Sequence, residues 1–395
     1  MIGPLLALVV IASPVDDAVA VPASKPRSVV AAAIEQAFAG RPDAFRSLAS
    51  DPAMQAASMA HVPTVSVETR RRLRELIVPS VAEARAILTL IDLARRDLAE
   101  ARVVVDEPHR CVVAVTTNRL SHGHFEFTVR PTPGGGEIVD AIDRRQRLQA
   151  SELVAFAAAR KVVEQLDASR LRSGRSLEDR RVLEPLVRIG RLITSRRTAT
   201  LAEYDAAVAA APDAVRDDSN TVFGRLLVAS LRKDVAETIA SLRVARRHPQ
   251  LVVETDGFIA SFGERNGLFE EAFGAATRLQ RAFPNDVQLA VVRANALMRL
   301  DRDDDALAEF DAALRVSPGR DLSYLASVAH ALHAENDGYA LAVLKRYDES
   351  GRLDPARLYG VTRYREFLRS GPGREWRQQL GDRDPKVAAK HSVRL

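Results

Sequence analysis

The chain has a single cysteine, Cys111, among its 395 residues. No internal disulfide and no cysteine-rich metal site can form, and the redox state of its compartment leaves no mark on the sequence. Aromatic residues make up only 5%. That scarcity disfavours an aromatic-rich β-sandwich, and the dominance of Ala, Leu, Val and Arg favours helices packed through small side chains. Long apolar runs are missing too. The stretch from Leu5 to Ala12 is too short to cross a bilayer as a helix, so stable membrane insertion is not expected. There is no basic run with interleaved aromatics either. The formal charge of +5 is spread among Asp and Glu, which describes a solvated surface and gives no reason to expect nucleic acid as a partner.

What is present is enough for a folded protein. Apolar residues at 47% and charged residues at 28% are ordinary for a globular chain, and the length suits two domains. Residues 1–24 read as a signal-peptide-like or disordered segment. Ala18-Val19-Ala20 follows the apolar run and fits the small-x-small pattern of a signal-peptidase site. No Lys or Arg precedes that run, and Asp16 and Asp17 sit in the cleavage region. Export to the periplasm or medium is the favoured reading; the alternative is a cytoplasmic protein with a mis-assigned start codon or a frayed terminal helix.

Residues 25–147 read as a small α+β domain. Three helices are expected first, with Val29, Val30, Ala33, Ile34, Ala37 and Phe38 forming one apolar face, then helices over Val67 to Ile77 and Val81 to Leu98. The breaks fall at Gly40-Arg41-Pro42 and His61-Val62-Pro63. Four β-branched runs follow: Val103 to Val105, Cys111 to Val115, Phe125 to Val129 and Ile138 to Ile142. Turn residues such as Glu107-Pro108-His109 and Pro131 to Gly136 separate them, which predicts an antiparallel meander covered on one face by the preceding helices. In element order this is similar to the nuclear-transport-factor and cystatin types. Residues 148–175 read as a helical connector, residues 176–370 as helical repeats and residues 371–395 as a tail.

The repeat is legible in the prolines. Pro212, Pro249, Pro284, Pro318 and Pro355 are separated by 37, 35, 34 and 37 residues. Proline cannot continue a helix, and its fixed φ starts each following unit at a repeatable angle. Eight residues before these prolines stand Tyr204, Ser241, Ala276, Phe310 and Tyr347; twelve before stand Thr200, Glu237, Ala272, Ala306 and Val343. These offsets put small and aromatic residues on one helical face. Glu237 departs from the pattern, which suggests a one-residue slip of register in its unit.

This arrangement resembles the tetratricopeptide repeat, and the unit Asn285 to Pro318 matches it best, with Ala294 in its first helix and Asp301-Arg302-Asp303-Asp304 as its turn. The resemblance implies a mainly α protein, a tetratricopeptide-like solenoid behind the small α+β domain. At the C-terminus, Phe367-Leu368-Arg369-Ser370 leading to Trp376 resembles the closing segment F-L-x-S-P-E-Y-x-x-W of a family of uncharacterised bacterial tetratricopeptide proteins. Those proteins carry a helical and β-meander region ahead of the repeats, with a strand like Glu137-Ile138-Val139-Asp140. This chain has Gly371-Pro372-Gly373 where the family has Pro-Glu-Tyr. The similarity covers residues 85 to 377 and implies an architecture with no known activity.

Chemical signals are sparse. On a strand, His122, His124 and Glu126 share one face and Phe125, Phe127 and Val129 the other. Zinc ligation is the sharper reading of the first set and a solvated sheet face the preferred one. His109 and Cys111 invite a nucleophile-and-base reading, but a lone cysteine in a valine-rich strand is better explained as core. Gly134-Gly135-Gly136 leads into no helix and reads as a hairpin loop rather than a phosphate cradle. Neither a catalytic set nor a cofactor or metal site is assigned. The candidate peptide-binding residues are Asn295 and Arg299, four apart on the first helix of the best unit, where solenoids line their concave surface. The expected function is a non-catalytic interaction or scaffold protein that binds a peptide or partner protein. The alternative is a ligand-binding or enzymatic α+β domain recruited by the repeats.

Overall fold

Helices dominate from the first described residues onward, as the Ala- and Leu-rich composition predicts. The computed structural model describes residues 28–82, 85–117, 122–144, 148–168, 174–194, 200–316, 321–351, 353 and 362–383. The expected signal-peptide segment 1–24 and the prolines Pro318 and Pro355 lie outside the described residues. The chain divides into two compact units at Phe258/Ile259. Residues up to Phe258 form the first, except that His122 groups with the second, which takes residues from Ile259 on.

The first unit opens with five helices: α1 (Val29–Phe38), α2 (Asp43–Leu48), α3 (Asp51–Ala60), α4 (Val67–Val81) and α5 (Arg85–Arg95). The strands follow as β1 (Leu98–Glu107), β2 (Arg110–Thr117), β3 (His122–Arg130), β4 (Glu137–Asp143) and the two-residue β5 (Leu148–Gln149). They lie in sequence order in one sheet, and the β1–β2, β3–β4 and β4–β5 pairs are antiparallel. The expected meander is therefore present. Each of the four β-branched runs lies within its own strand. The helical expectation was incomplete, because α2 and α3 were not foreseen and the third helix starts at Arg85 instead of Val81.

Alternation decides which side of β3 is core. Phe125, Phe127 and Val129 are buried, and Phe38 meets Phe125 and Phe127 edge-on with centroids 5.5 and 6.4 Å apart. Phe45 of α2 meets Phe127 in the same way at 6.1 Å. The start of α1 is fixed by Ser28, whose Oγ accepts the N–H of Ala31 and whose own N–H and hydroxyl donate to Asp106 of β1. The glycine triplet is the β3–β4 hairpin loop. A Cβ at Gly136, where φ is +144°, would stand 2.9 Å from Val129 Cγ1, so that position needs glycine.

The remaining helices of this unit are α6 (Ala150–Ala168), α7 (Gly174–Thr194), α8 (Leu201–Ala209), α9 (Asp213–Arg216), α10 (Ser219–Leu231), α11 (Val235–Ala245) and α12 (Val252–Arg265), the last of which crosses the division between units. The expected connector α6 is in fact a core helix. Val154, Ala155, Ala158, Ala159 and Val162 are buried in one cluster with Ile34, Phe125 and Leu183. Asp140 anchors its first turn by accepting from Ser151 N–H at 3.1 Å and from the Ser151 hydroxyl. Asp179 of α7 likewise accepts from the N–H and hydroxyl of Ser66, the residue that caps α4.

The second unit contains α13 (Phe269–Ala282), α14 (Val287–Met298), α15 (Asp303–Val316), α16 (Asp321–His333), α17 (Asp337–Glu349), α18 (Thr362–Phe367) and α19 (Gly371–Arg383). Within it α14 packs on α13, α15 and α16, while α17 packs on α15, α16 and α19. An aromatic ladder, Phe310 to Tyr324 to Tyr347, joins successive pairs at centroid separations of 5.5 and 4.5 Å. The tail expected from residue 371 begins instead as α19. Pro372 is tolerated in its first turn, and Trp376 is buried beside Tyr364 and Phe367.

The fixed point of the helical pairs is the turn inside each pair. Left-handed residues stand at Lys233, Gly267, Asp301 and Glu335, each 34 residues after the last. Counted from these, Thr238, Ala272, Ala306 and Ala340 are equivalent and fully buried, and so are Leu226, Ala294 and Val328, with Ala260 nearly so. The proline count misplaces the register at Glu237 and Val343, because the segments between pairs vary in length while the turns within them do not. Glu237 is a partly buried residue whose carboxylate accepts from the guanidinium of Arg225 at 2.7 Å.

Candidate functional site

The strand set does not assemble as expected. His124 is buried rather than solvated, so both sides of β3 are covered at that point. Glu126 is claimed by arginines: its Oε2 lies 2.9 Å from Arg144 Nη2 and 3.1 Å from Arg110 Nη2. Arg144 also pairs with Glu254 of α12, whose carboxylate is 1% exposed. This network fastens the end of β4 to the first turn of α12 and leaves Glu126 to arginines, not to the imidazoles. His122 Nε2 instead lies 2.7 Å from Asp286 Oδ2, while Asp286 Oδ1 accepts the N–H of Gln288 and caps α14. Cys111 is in the core at 1% exposure, and His109 stands exposed in the β1–β2 turn. The pair is therefore separated by burial, and the cysteine acts as a small apolar residue.

The helical candidates fall differently. Asn295 is buried, and its Oδ1 accepts from the Ser327 hydroxyl at 3.3 Å, which ties α14 to α16. Arg299, the C-cap of α14, lies with its guanidinium carbon 4.8 Å from the centroid of Phe269. Stacking of this kind holds the fork in one plane. Among the described residues no carboxylate pairs with Arg299.

Two further residues of the second unit form an ion pair. His330 of α16 places Nε2 2.7 Å from Oε1 of Glu264 in α12. Burial works against the charged imidazole, but the Glu264 carboxylate outweighs it and raises the His330 pKa, with Arg299 opposing. Glu264 with His330 and Arg299 with Phe269 are thus two paired contacts on the second unit. Sequence reasoning found only Arg299. The signal for the others is weak, since Glu264 and His330 are 66 residues apart and neither falls on a motif position.

Comparison with protein-family models, curated proteins and solved structures finds no match for this chain. The functional reading therefore rests on the residues themselves. No described helix is long and apolar enough to cross a membrane.

Proposed function

We propose that the helical pairs form a tetratricopeptide-type solenoid and that the protein is a non-catalytic interaction or scaffold protein binding a peptide or partner polypeptide. The observation that carries this reading is the left-handed turn residue returning every 34 residues at Lys233, Gly267, Asp301 and Glu335. A helix-turn-helix unit of about 34 residues is the tetratricopeptide period. The fully buried small residues at matching offsets, Ala272, Ala306 and Ala340, support the same register. Solenoids of this type present the first helix of each pair to a groove. Here those helices include α12, α14 and α16, which carry Glu264, Arg299 and His330.

Arg299 is the residue assigned to the partner. Its guanidinium is held by Phe269 and engages no described carboxylate, so its donors suit a carboxylate or backbone carbonyl from outside. Asn295 acts behind it by fixing α14 against α16. Immobilised full-length protein tests this assignment. A polypeptide retained by the wild type is expected to be lost by Arg299→Glu and kept by Arg281→Glu, a change on the exposed side of α13. Equal retention by all three proteins would rule Arg299 out.

A further inference from the structure

Helix α4 is committed on its inner side and open on its outer one. Leu73, Ile77 and Val81 are buried in the core of the first unit, and Ser66, which caps the helix, is held by Asp179. On the outer side both carboxylates are taken by neighbouring arginines. Glu68 accepts from Arg71 and Arg72, which hold its pKa down at about 2, and Glu75 accepts from Arg71. Arg70 and Arg74 are exposed, and neither guanidinium has a hydrogen bond or ion pair among the described residues. They stand one turn apart between two exposed valines, Val67 at 87% and Val78 at 51%. Steps of three, four and four residues put Val67, Arg70, Arg74 and Val78 on one stripe, the spacing by which one helix packs along another.

Charge decides what can cover the stripe. A second copy of α4 would bring arginine against arginine, which is repulsive. A lipid surface needs a continuous apolar face, and here the two valines have cations between them. A nucleic-acid backbone would meet Glu68 and Glu75 beside the arginines, with no aromatic side chain on the helix for a base to stack on. The complement that remains is a helix of the reverse pattern. We propose that the outer face of α4 docks an acidic amphipathic helix of a partner polypeptide, with two carboxylates one turn apart on Arg70 and Arg74 and an apolar side chain at each end on Val67 and Val78. The paired guanidinium contacts fix the register of the partner, and covering the valines supplies the apolar part of the contact. This face belongs to the first unit and is independent of Arg299.

The test uses the full-length protein and a labelled helix-forming peptide of Ala and Gln whose fourth and fifteenth residues are Leu and whose eighth and twelfth are Glu, the mirror of the stripe for an antiparallel approach. Wild type is expected to bind it about tenfold or more tightly than the double variant Arg70→Glu, Arg74→Glu, the scale of a like-charge clash at an interface. Its affinity is expected to fall as salt rises. The same peptide with Lys in place of Glu is expected to reverse the order, binding the double variant in preference to wild type, which also shows that the variant is folded. Arg299→Glu is expected to bind the acidic peptide as wild type does, which separates this face from the one on the second unit. Absence of binding to wild type, equal binding by wild type and the double variant, or a Lys peptide with no preference for the double variant overturns the proposal. Retention of wild type by phosphatidylglycerol vesicles and not by the peptide overturns it too, in favour of a lipid contact.

Discussion

Arg299 and Asn295 were picked out together because they lie four apart on one helix, yet their environments differ. Arg299 engages no described carboxylate, whereas Asn295 is buried and accepts from Ser327. Helical spacing places two residues on one face but does not say how wide the exposed part of that face is. The same limit hid Asp179. It looks like a surface acid in an Arg-rich helix, but it is buried and accepts two hydrogen bonds from Ser66. Burial alone would raise its pKa, and the hydrogen bonds from Ser66 and Thr69 more than reverse that and lower it. A lowered carboxyl pKa contributes stability that is present above the unfolded value of about 3.9 and is lost as pH falls through the folded one. Asp179→Asn is expected to cost about 1–3 kcal/mol at neutral pH. It should also flatten the loss of stability below pH 4. Urea titrations at pH 7 and pH 3 that give the same difference between wild type and variant would contradict this role.

At the scale of the element, periodic apolar faces and β-branched runs were readable and irregular pieces were not. The strands were found because four Val- and Ile-rich segments alternate with turn residues. Helices α2 and α3 were missed because six and ten residues rich in Ala, Ser and Asp give little periodicity. Their identity is settled by contact, since Phe45 packs on Phe127 and Ser50 N–H donates to Ile138 of β4. The proline count came close to the 34-residue spacing but with an imperfect register, because the recurring geometry lies in the left-handed turn. That geometry makes a paired prediction. Gly267 has φ +77° with open space around it, so Gly267→Ala is expected to destabilise by about 1 kcal/mol through backbone strain alone. Glu335 occupies the equivalent turn at φ +59°, and Glu335→Gly is expected to be neutral or to stabilise by about 0.5 kcal/mol. Thermal unfolding of both variants checks the pair. A stabilising Gly267→Ala or a destabilising Glu335→Gly would mean that the two turns are not equivalent.

At the scale of the whole molecule, the order of classes along the described residues was legible: helices, a meander, then helices again. The boundary between compact units was not. A change from strands to helices near residue 148 looks like a domain edge, but Val154, Leu183, Val187, Tyr204 and Val228 share one buried cluster with the meander. Composition reports secondary structure, and a core can run across such a change without a mark in the sequence. A fragment of residues 176–370 is therefore expected to expose Leu183, Val187 and Tyr204, to bind a hydrophobic dye and to self-associate. A fragment that stays monomeric and dye-silent would show that the shared core is dispensable.

The central claim is that α12, α14 and α16 present a polypeptide-binding face on which Arg299 is the contact. Photo-crosslinking from a benzophenone side chain placed at position 300, next to Arg299, with position 281 as the control, tests it most directly in the full-length protein. The account predicts a discrete crosslinked polypeptide from position 300 that is absent from position 281 and is lost when Arg299→Glu is added. Crosslinks of equal yield from both positions, or a crosslink from position 300 that survives Arg299→Glu, would contradict it.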